Sequence, residues 1–188
     1  GVSQAGLYAV TVTGANGCTS TGTATVTGDT NPPDATAAGG TLSCTVQSLL
    51  LDGNSNTPGA GFAWSGPGSF TSAVPDPQVN LAGDYILTVT GPNGCVALDT
   101  AIVLADVAAP DAAATGGIIS CAATQTSISA SSTTPGAVFQ WTGPGNFSSP
   151  NTTASVSLLG NYLLTVTAPN GCIATAVATV LPDADIPN

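Results

Sequence analysis

The chain has 188 residues and a net charge of −10, carried by ten acidic residues that are all Asp, and it contains no Lys, Arg, His or Met. A polyanion would be repelled and no Gly-rich loop is followed by a Lys, so nucleic-acid and nucleotide binding are excluded. Without His, Lys, Arg or Glu, a general base near neutral pH would have to be a strongly shifted Asp or a free thiolate, so the chain does not read as an enzyme.

Nearly every strong helix former except Ala, Leu and Gln is missing. What remains is Thr, Val, Ser, Ala, Gly, Pro and Asn, the vocabulary of short strands and turns, and predicts an all-β fold. No apolar run approaches about 20 residues, so no membrane span is expected.

The first element, Gly6-Leu7-Tyr8…Asn16-Gly17-Cys18, returns as Gly83-Asp84-Tyr85…Asn93-Gly94-Cys95 and as Gly160-Asn161-Tyr162…Asn170-Gly171-Cys172. The interval from Cys18 to Cys95 is 77 residues and recurs from Cys95 to Cys172, from Cys44 to Cys121 and from Trp64 to Trp141. Such a fixed period marks a tandem array. Residues 1–30 are read as the C-terminal part of a module, 31–107 and 108–184 as complete modules, and 185–188 as the start of the next linker. The chain is therefore expected to be a segment of something longer.

Within the module, the linker Pro32-Pro33-Asp34 leads to Gly39-Gly40, which opens a run placing Leu42, Cys44 and Val46 on one face. Residues Asp52 to Gly59 read as a break. Phe62 and Trp64 alternate on the next strand, which ends at Gly66-Pro67-Gly68. From Val79 through Leu81, Tyr85, Leu87 and Val89 the odd positions are apolar. Gly91-Pro92-Asn93-Gly94 then closes a hairpin onto Cys95–Leu104, with Asn-Gly expected to supply the positive-φ residues. On this last strand Val96, Leu98, Ile102 and Leu104 share a face, but the following copy has Thr175 and Thr179 there, and the pattern leaves the buried face open.

About seven short strands, a Trp between two Cys and a Tyr before a hairpin suggest tandem β-sandwich modules of the immunoglobulin type. The Tyr lies ten residues before the second Cys rather than two, which places that Cys past the hairpin.

A module this small often needs an added constraint. Cys44 and Cys95 stand 51 residues apart, as do Cys121 and Cys172, and a bridge of that span would contribute roughly 4 kcal/mol. Intramodule bridges Cys44–Cys95 and Cys121–Cys172 are expected, with Cys18 paired upstream; a bridge between Cys18 and Cys44 is the rival. Either implies an oxidising compartment. Zinc is disfavoured, since there is no His and no Cys-x-x-Cys.

Asp29, Asp34, Asp106, Asp111, Asp183 and Asp185 gather at the linkers, where calcium could stiffen the array through oxygen ligands; plain solvation of exposed linkers is the blander account. Asp52, Asn54 and Asn56 read as a turn. Trp64 and Trp141 serve either as core anchors or as a sugar-binding platform, and their step with Phe62 and Phe139 favours the core. The Thr21–Thr25 run resembles an ice-binding ladder on one strand only, and Leu98 and Ile102 break it in the next copy. Asp99-Thr100-Ala101 is similar to the aspartic-protease triplet, but Ala176 replaces Asp99 one copy later.

The signature G-x-Y-x-x-T-V-T-x-x-N-G-C, read in Gly83–Cys95 and Gly160–Cys172, resembles the short Ig-like or PKD-like repeats of giant cell-surface adhesins of Bacteroidota, including gliding-motility adhesins. The resemblance implies secretion, usually by the type IX system, into extended surface filaments. It also implies that Thr100 fits an Asp-Thr-apolar O-glycosylation motif.

Charged residues make up only 5% of the chain and mean hydropathy is +0.35, where a soluble monomer keeps about a quarter of its residues charged. Faces of Thr, Ser, Ala, Val and Leu suit contact with copies of themselves. The reading is the shaft of an extracellular adhesive filament that self-associates laterally and meets its target surface through a tip elsewhere, with no cofactor beyond calcium at the linkers. A carbohydrate-binding array and a surface-layer lattice are the alternatives.

Overall fold

The computed structural model describes residues 1–184. In chain order the strands are β1 (Gly6–Thr13), β2 (Thr19–Val26), β3 (Thr36–Ala38), β4 (Gly40–Ser43), β5 (Leu49–Leu50), β6 (Asp52–Asn54), β7 (Gly61–Gly66), β8 (Phe70–Ser72), β9 (Gln78–Val79), β10 (Gly83–Thr90) and β11 (Val96–Asp106). They continue as β12 (Ala113–Thr115), β13 (Ile118–Ile119), β14 (Thr126–Ser131), β15 (Val138–Gly143), β16 (Phe147–Ser149), β17 (Thr153–Val156), β18 (Gly160–Thr167) and β19 (Ile173–Pro182). The 77-residue interval reappears in the starts of β7 and β15, β10 and β18, and β11 and β19. The protein is all-β, built of immunoglobulin-like sandwiches.

Two compact units interleave along the chain. The first comprises Gly1–Ala38, Asp52–Pro77 and Tyr85–Ala101; the second comprises Gly39–Leu51, Gln78–Asp84 and the described residues from Ile102 onward. In the first, β1 and β2 form an antiparallel hairpin from Gly6↔Val26 to Thr13↔Thr19, β3 pairs with β6, and β7 lies between β8 and β10. Trp64, Tyr85, Leu87, Val89 and Ala101 are buried.

The second unit shows both layers of a sandwich. One sheet runs β12-β14-β17 and the other β13-β19-β18-β15-β16. Ile128 and Val156 from the first sheet meet Trp141, Tyr162, Leu164, Val166, Ala178 and Val180 from the second in one buried cluster. Period-two alternation on β18 supplies three of these, because successive side chains point to opposite faces. The Tyr162 hydroxyl donates to the Leu158 carbonyl at 2.8 Å, and its ring meets Phe147 edge-on at 5.3 Å.

The chain changes sheets at the paired glycines. After β12 the chain crosses to pair β13 in parallel with the end of β19, Ile118↔Leu181. A Cβ on Gly116 would collide with the Thr179 carbonyl, and one on Gly39 with the Ile102 carbonyl. Only a residue without a side chain lets the crossing strand lie this close to its neighbour.

Several local expectations are corrected. The strand before Cys44 stops at Ser43, and Ser43 to Val46 form a turn closed by a 2.8 Å bond from the Ser43 N–H to the Val46 carbonyl. Asp52–Asn54 is strand β6, since Ala37↔Gly53 pairing carries it on; the break begins at Ser55. Leu81 is exposed in a gap between β9 and β10. In the hairpin turns only the glycine takes positive φ, 79° at Gly17, 80° at Gly94 and 78° at Gly171. The Asn acts through its side chain instead, accepting the Cys backbone N–H at 3.0 Å in both Asn93 and Asn170. This is a turn with one left-handed residue rather than two.

Candidate functional site at the repeat boundary

Two of the linkers are each pinned by an aspartate. Pro33 is buried, and Asp34 accepts from the Asn56 backbone N–H at 3.0 and 2.9 Å, from Asn56 Nδ2 at 2.7 Å and from the hydroxyls of Ser55 and Thr57 at 3.0 Å each. Asp111 repeats the arrangement with the Thr133 N–H at 2.9 Å and the hydroxyls of Ser132, Thr133 and Thr134 at 2.9, 3.0 and 3.1 Å. Bonds to the charged form hold both carboxyls well below the usual carboxylate range, the backbone N–H of Asn56 or Thr133 contributing most and partial loss of water opposing.

The other calcium candidates are placed as follows. Asp29 accepts the Asn31 N–H at 3.1 Å, Asp106 accepts Asn170 Nδ2 at 2.9 Å, and Asp183 donates its backbone N–H to Ile119 at 2.9 Å. Asp185 lies outside the described residues. Among the described residues no three Asp or Cys side chains come together as a metal site.

The Asn-Gly-Cys turn holds its linker within each unit. In the second unit Asn170 Nδ2 donates to Asp106 and to the Ala108 carbonyl, both at 2.9 Å, which ties the turn to the linker. Gly171 abuts Thr45, which a Cβ there would strike. Cys172 is bonded to Cys44, with Cα atoms 5.0 Å apart and 128 residues between them in sequence. In the first unit Asn93 Nδ2 holds the Asn31 carbonyl at 2.8 Å in the same manner.

This overturns the intramodule bridges Cys44–Cys95 and Cys121–Cys172. Cys95, Cys121 and Cys18 are free. The reason is strand geometry: Cys95 precedes Val96 at one end of β11, whereas Cys44 follows Ser43, which pairs with Asp106 at the other. Ten residues of strand separate those ends by roughly 33 Å, and a disulfide needs Cα atoms within about 7 Å. Ile119↔Pro182 and Ile173 impose the same separation on Cys121 and Cys172. Equal spacing in sequence was periodicity, not proximity. The rival Cys18–Cys44 bridge is absent too, since Cys44 is already bonded.

Trp64 and Trp141 are 2% and 0% exposed, and their indole N–H groups donate to the carbonyls of Pro75 at 2.9 Å and Asn151 at 3.1 Å. Neither forms a platform for a sugar, which removes the feature on which the carbohydrate-binding alternative rested. Asp99 points inward and accepts the Ala37 N–H at 2.7 Å, serving strand β3. Thr100 is exposed.

The face left open by the last strand is the apolar one. Val96, Leu98, Ile102 and Leu104 are 55, 66, 57 and 59% exposed, while Ala101 and Val103 turn inward. On β19 Ile173, Val177 and Leu181 repeat the exposed row. Thr175 and Thr179 are tolerated there because that face is not core. Sequence reasoning missed the boundary roles of Asn93, Asn170 and Thr45. The available signal was the repetition of Asn-Gly-Cys, whose Asn was assigned a backbone conformation rather than the side-chain bonds it makes.

No family model matches the chain, and no curated protein matches it in sequence. Among solved structures it is similar to a Ca2+-stabilised adhesin with which an Antarctic bacterium binds ice, at 17% identity and a TM-score of 0.52 over 94% of this chain and 56% of that one. It therefore spans about half the length of that adhesin. Titin domains I67–I69 align at 15% identity and a TM-score of 0.46, over 96% of this chain and 75% of theirs. The two immunoglobulin domains of DIP-gamma align at 11% and 0.42, over 82% and 99%.

Proposed function

We propose that the chain is a stretch of the shaft of a secreted cell-surface adhesive filament. Its role is mechanical and non-enzymatic, and its modules are spacers for a tip that meets the target surface. The observation that carries this reading is the Cys44–Cys172 disulfide, which joins two distant segments of the second unit and so lets tension bypass the 128-residue interval between its ends. The adhesin likeness in fold and the Asn-Gly-Cys signature similar to Bacteroidota surface repeats support the setting. Calcium at the remaining linker oxygens and a glycan on exposed Thr100 belong to the same reading.

Lateral association with copies of the chain is supported by the exposed apolar row on β11 and β19 together with the low charge content of 5%. Such a patch favours contact with another surface, and none of the ten Asp residues stands in the row to repel a copy. Single-molecule pulling tests the mechanical role. Under oxidising conditions the stretch between the two cysteines should stay closed, and reduction should release roughly 430 Å of added contour length. Equal extension before and after reduction would refute it.

A further inference from the structure

We propose that Asn170-Gly171 is a latent self-modification site. The linker clamp and the Cys44–Cys172 cross-link keep Asn170 as the amide, and once the turn opens Asn170 deamidates to a carboxylate that no longer grips the linker.

Asn is a chemically labile side chain, and a following glycine leaves its own backbone nitrogen unshielded. The Gly171 nitrogen gives up its proton to water or hydroxide and attacks Cγ of Asn170. A C–N bond forms, the Cγ–Nδ2 bond breaks and ammonia leaves. Water then opens the cyclic imide to Asp or isoaspartate at position 170. No oxidant or cofactor takes part.

The folded turn opposes each step. The Gly171 N–H is held by the Ala168 carbonyl at 2.9 Å. Asn170 Oδ1 accepts the Cys172 N–H at 3.0 Å, and Nδ2 donates to Asp106 and to the Ala108 carbonyl at 2.9 Å each. Both Asn170 and Gly171 are half-buried, and the next residue is tied to Cys44. The first unit holds the same turn without the staple. There the Gly94 N–H meets the Gly91 carbonyl at 2.9 Å and Asn93 Oδ1 accepts the Cys95 N–H at 3.0 Å. Asn93 Nδ2 has one linker bond, to the Asn31 carbonyl, Asn93 and Gly94 are exposed, and Cys95 is free.

The product differs from the amide where the linker is gripped. Asp at 170 still accepts the Cys172 N–H, so the turn persists, but it turns an acceptor toward the Asp106 carboxylate and the Ala108 carbonyl, where Asn170 had donated to both. Two carboxylates at that separation repel. Opening of the turn is thereby made permanent.

The test holds the chain at mildly alkaline pH and follows each Asn-Gly peptide by peptic mapping and mass spectrometry, with Asn93 as internal reference. In the cross-linked chain Asn170 should deamidate roughly tenfold more slowly than Asn93, the factor that one further hydrogen bond confers. Cys44→Ser, which leaves Asn170-Gly171-Cys172 intact, should close that gap. In the cross-linked chain Asn170→Asp should lower the melting temperature, and adding Asp106→Asn, which restores a donor opposite the new carboxylate, should recover most of the loss. Equal rates at Asn93 and Asn170 in the cross-linked chain, or an Asp106→Asn substitution that deepens the loss, would overturn the proposal. Neither result bears on extension under force, so the shaft reading would stand.

Discussion

The backbone N–H of Thr133 donates to both carboxylate oxygens of Asp111, each at 2.9 Å. Asp34 receives the Asn56 N–H in the same way, so each linker is anchored by a carboxylate that must stay ionised. The folded carboxyls titrate lower than their ordinary value of 3.8, so the stability they contribute is fully present above that value and declines as pH falls through it toward the folded pKa. Thermal melting should therefore fall below about pH 4, and the fall should shrink in Asp34→Asn and Asp111→Asn. An identical acid profile in the variants would remove the linkers from the acid response.

Trp141→Ala should cost about 3–5 kcal/mol in chemical denaturation, because a fully buried indole leaves a cavity and orphans the Asn151 carbonyl. A loss below about 1 kcal/mol would contradict its place in the core.

Cys172→Ser, or reduction of the wild type, should destabilise the second unit by up to about 5 kcal/mol, the chain-entropy value for a span of 128 residues. Cys95→Ser should leave melting unchanged, since Cys95 is free. Equal losses from both would restore the intramodule pairing that the strand geometry excludes.

Lysine at Leu98, in the middle of the exposed row on β11, should dissolve lateral assemblies seen by light scattering, because an uncompensated charge would be buried at the contact. Thr88→Lys, on the half-exposed neighbouring strand, should act more weakly. Raising salt should leave wild-type assemblies intact. A monomer at high concentration, in wild type as in the variants, would show that this face is not a lateral contact.

Calcium titration against a chelator should raise the melting temperature if the ion occupies the linker carboxylates left over from the protein donors that satisfy Asp34 and Asp111; an unchanged melting temperature would remove calcium from the linkers.

Legibility ran along the chain and stopped across it. The sequence by itself determined the all-β class, the 77-residue period, the alternation that buries Tyr85, Leu87 and Val89, and the buried Trp residues, because strand periodicity and turn residues are local properties. It also determined that no cation would be present on any surface. Only the tertiary structure decided which cysteines meet, which face of β11 is open, and that Asn170 holds the linker at Asp106. Those depend on where a strand's two ends lie in space: the 77-residue period gives Cys44 and Cys95, and Cys121 and Cys172, one spacing in sequence, while the length of the last strand holds the members of each pair some 30 Å apart.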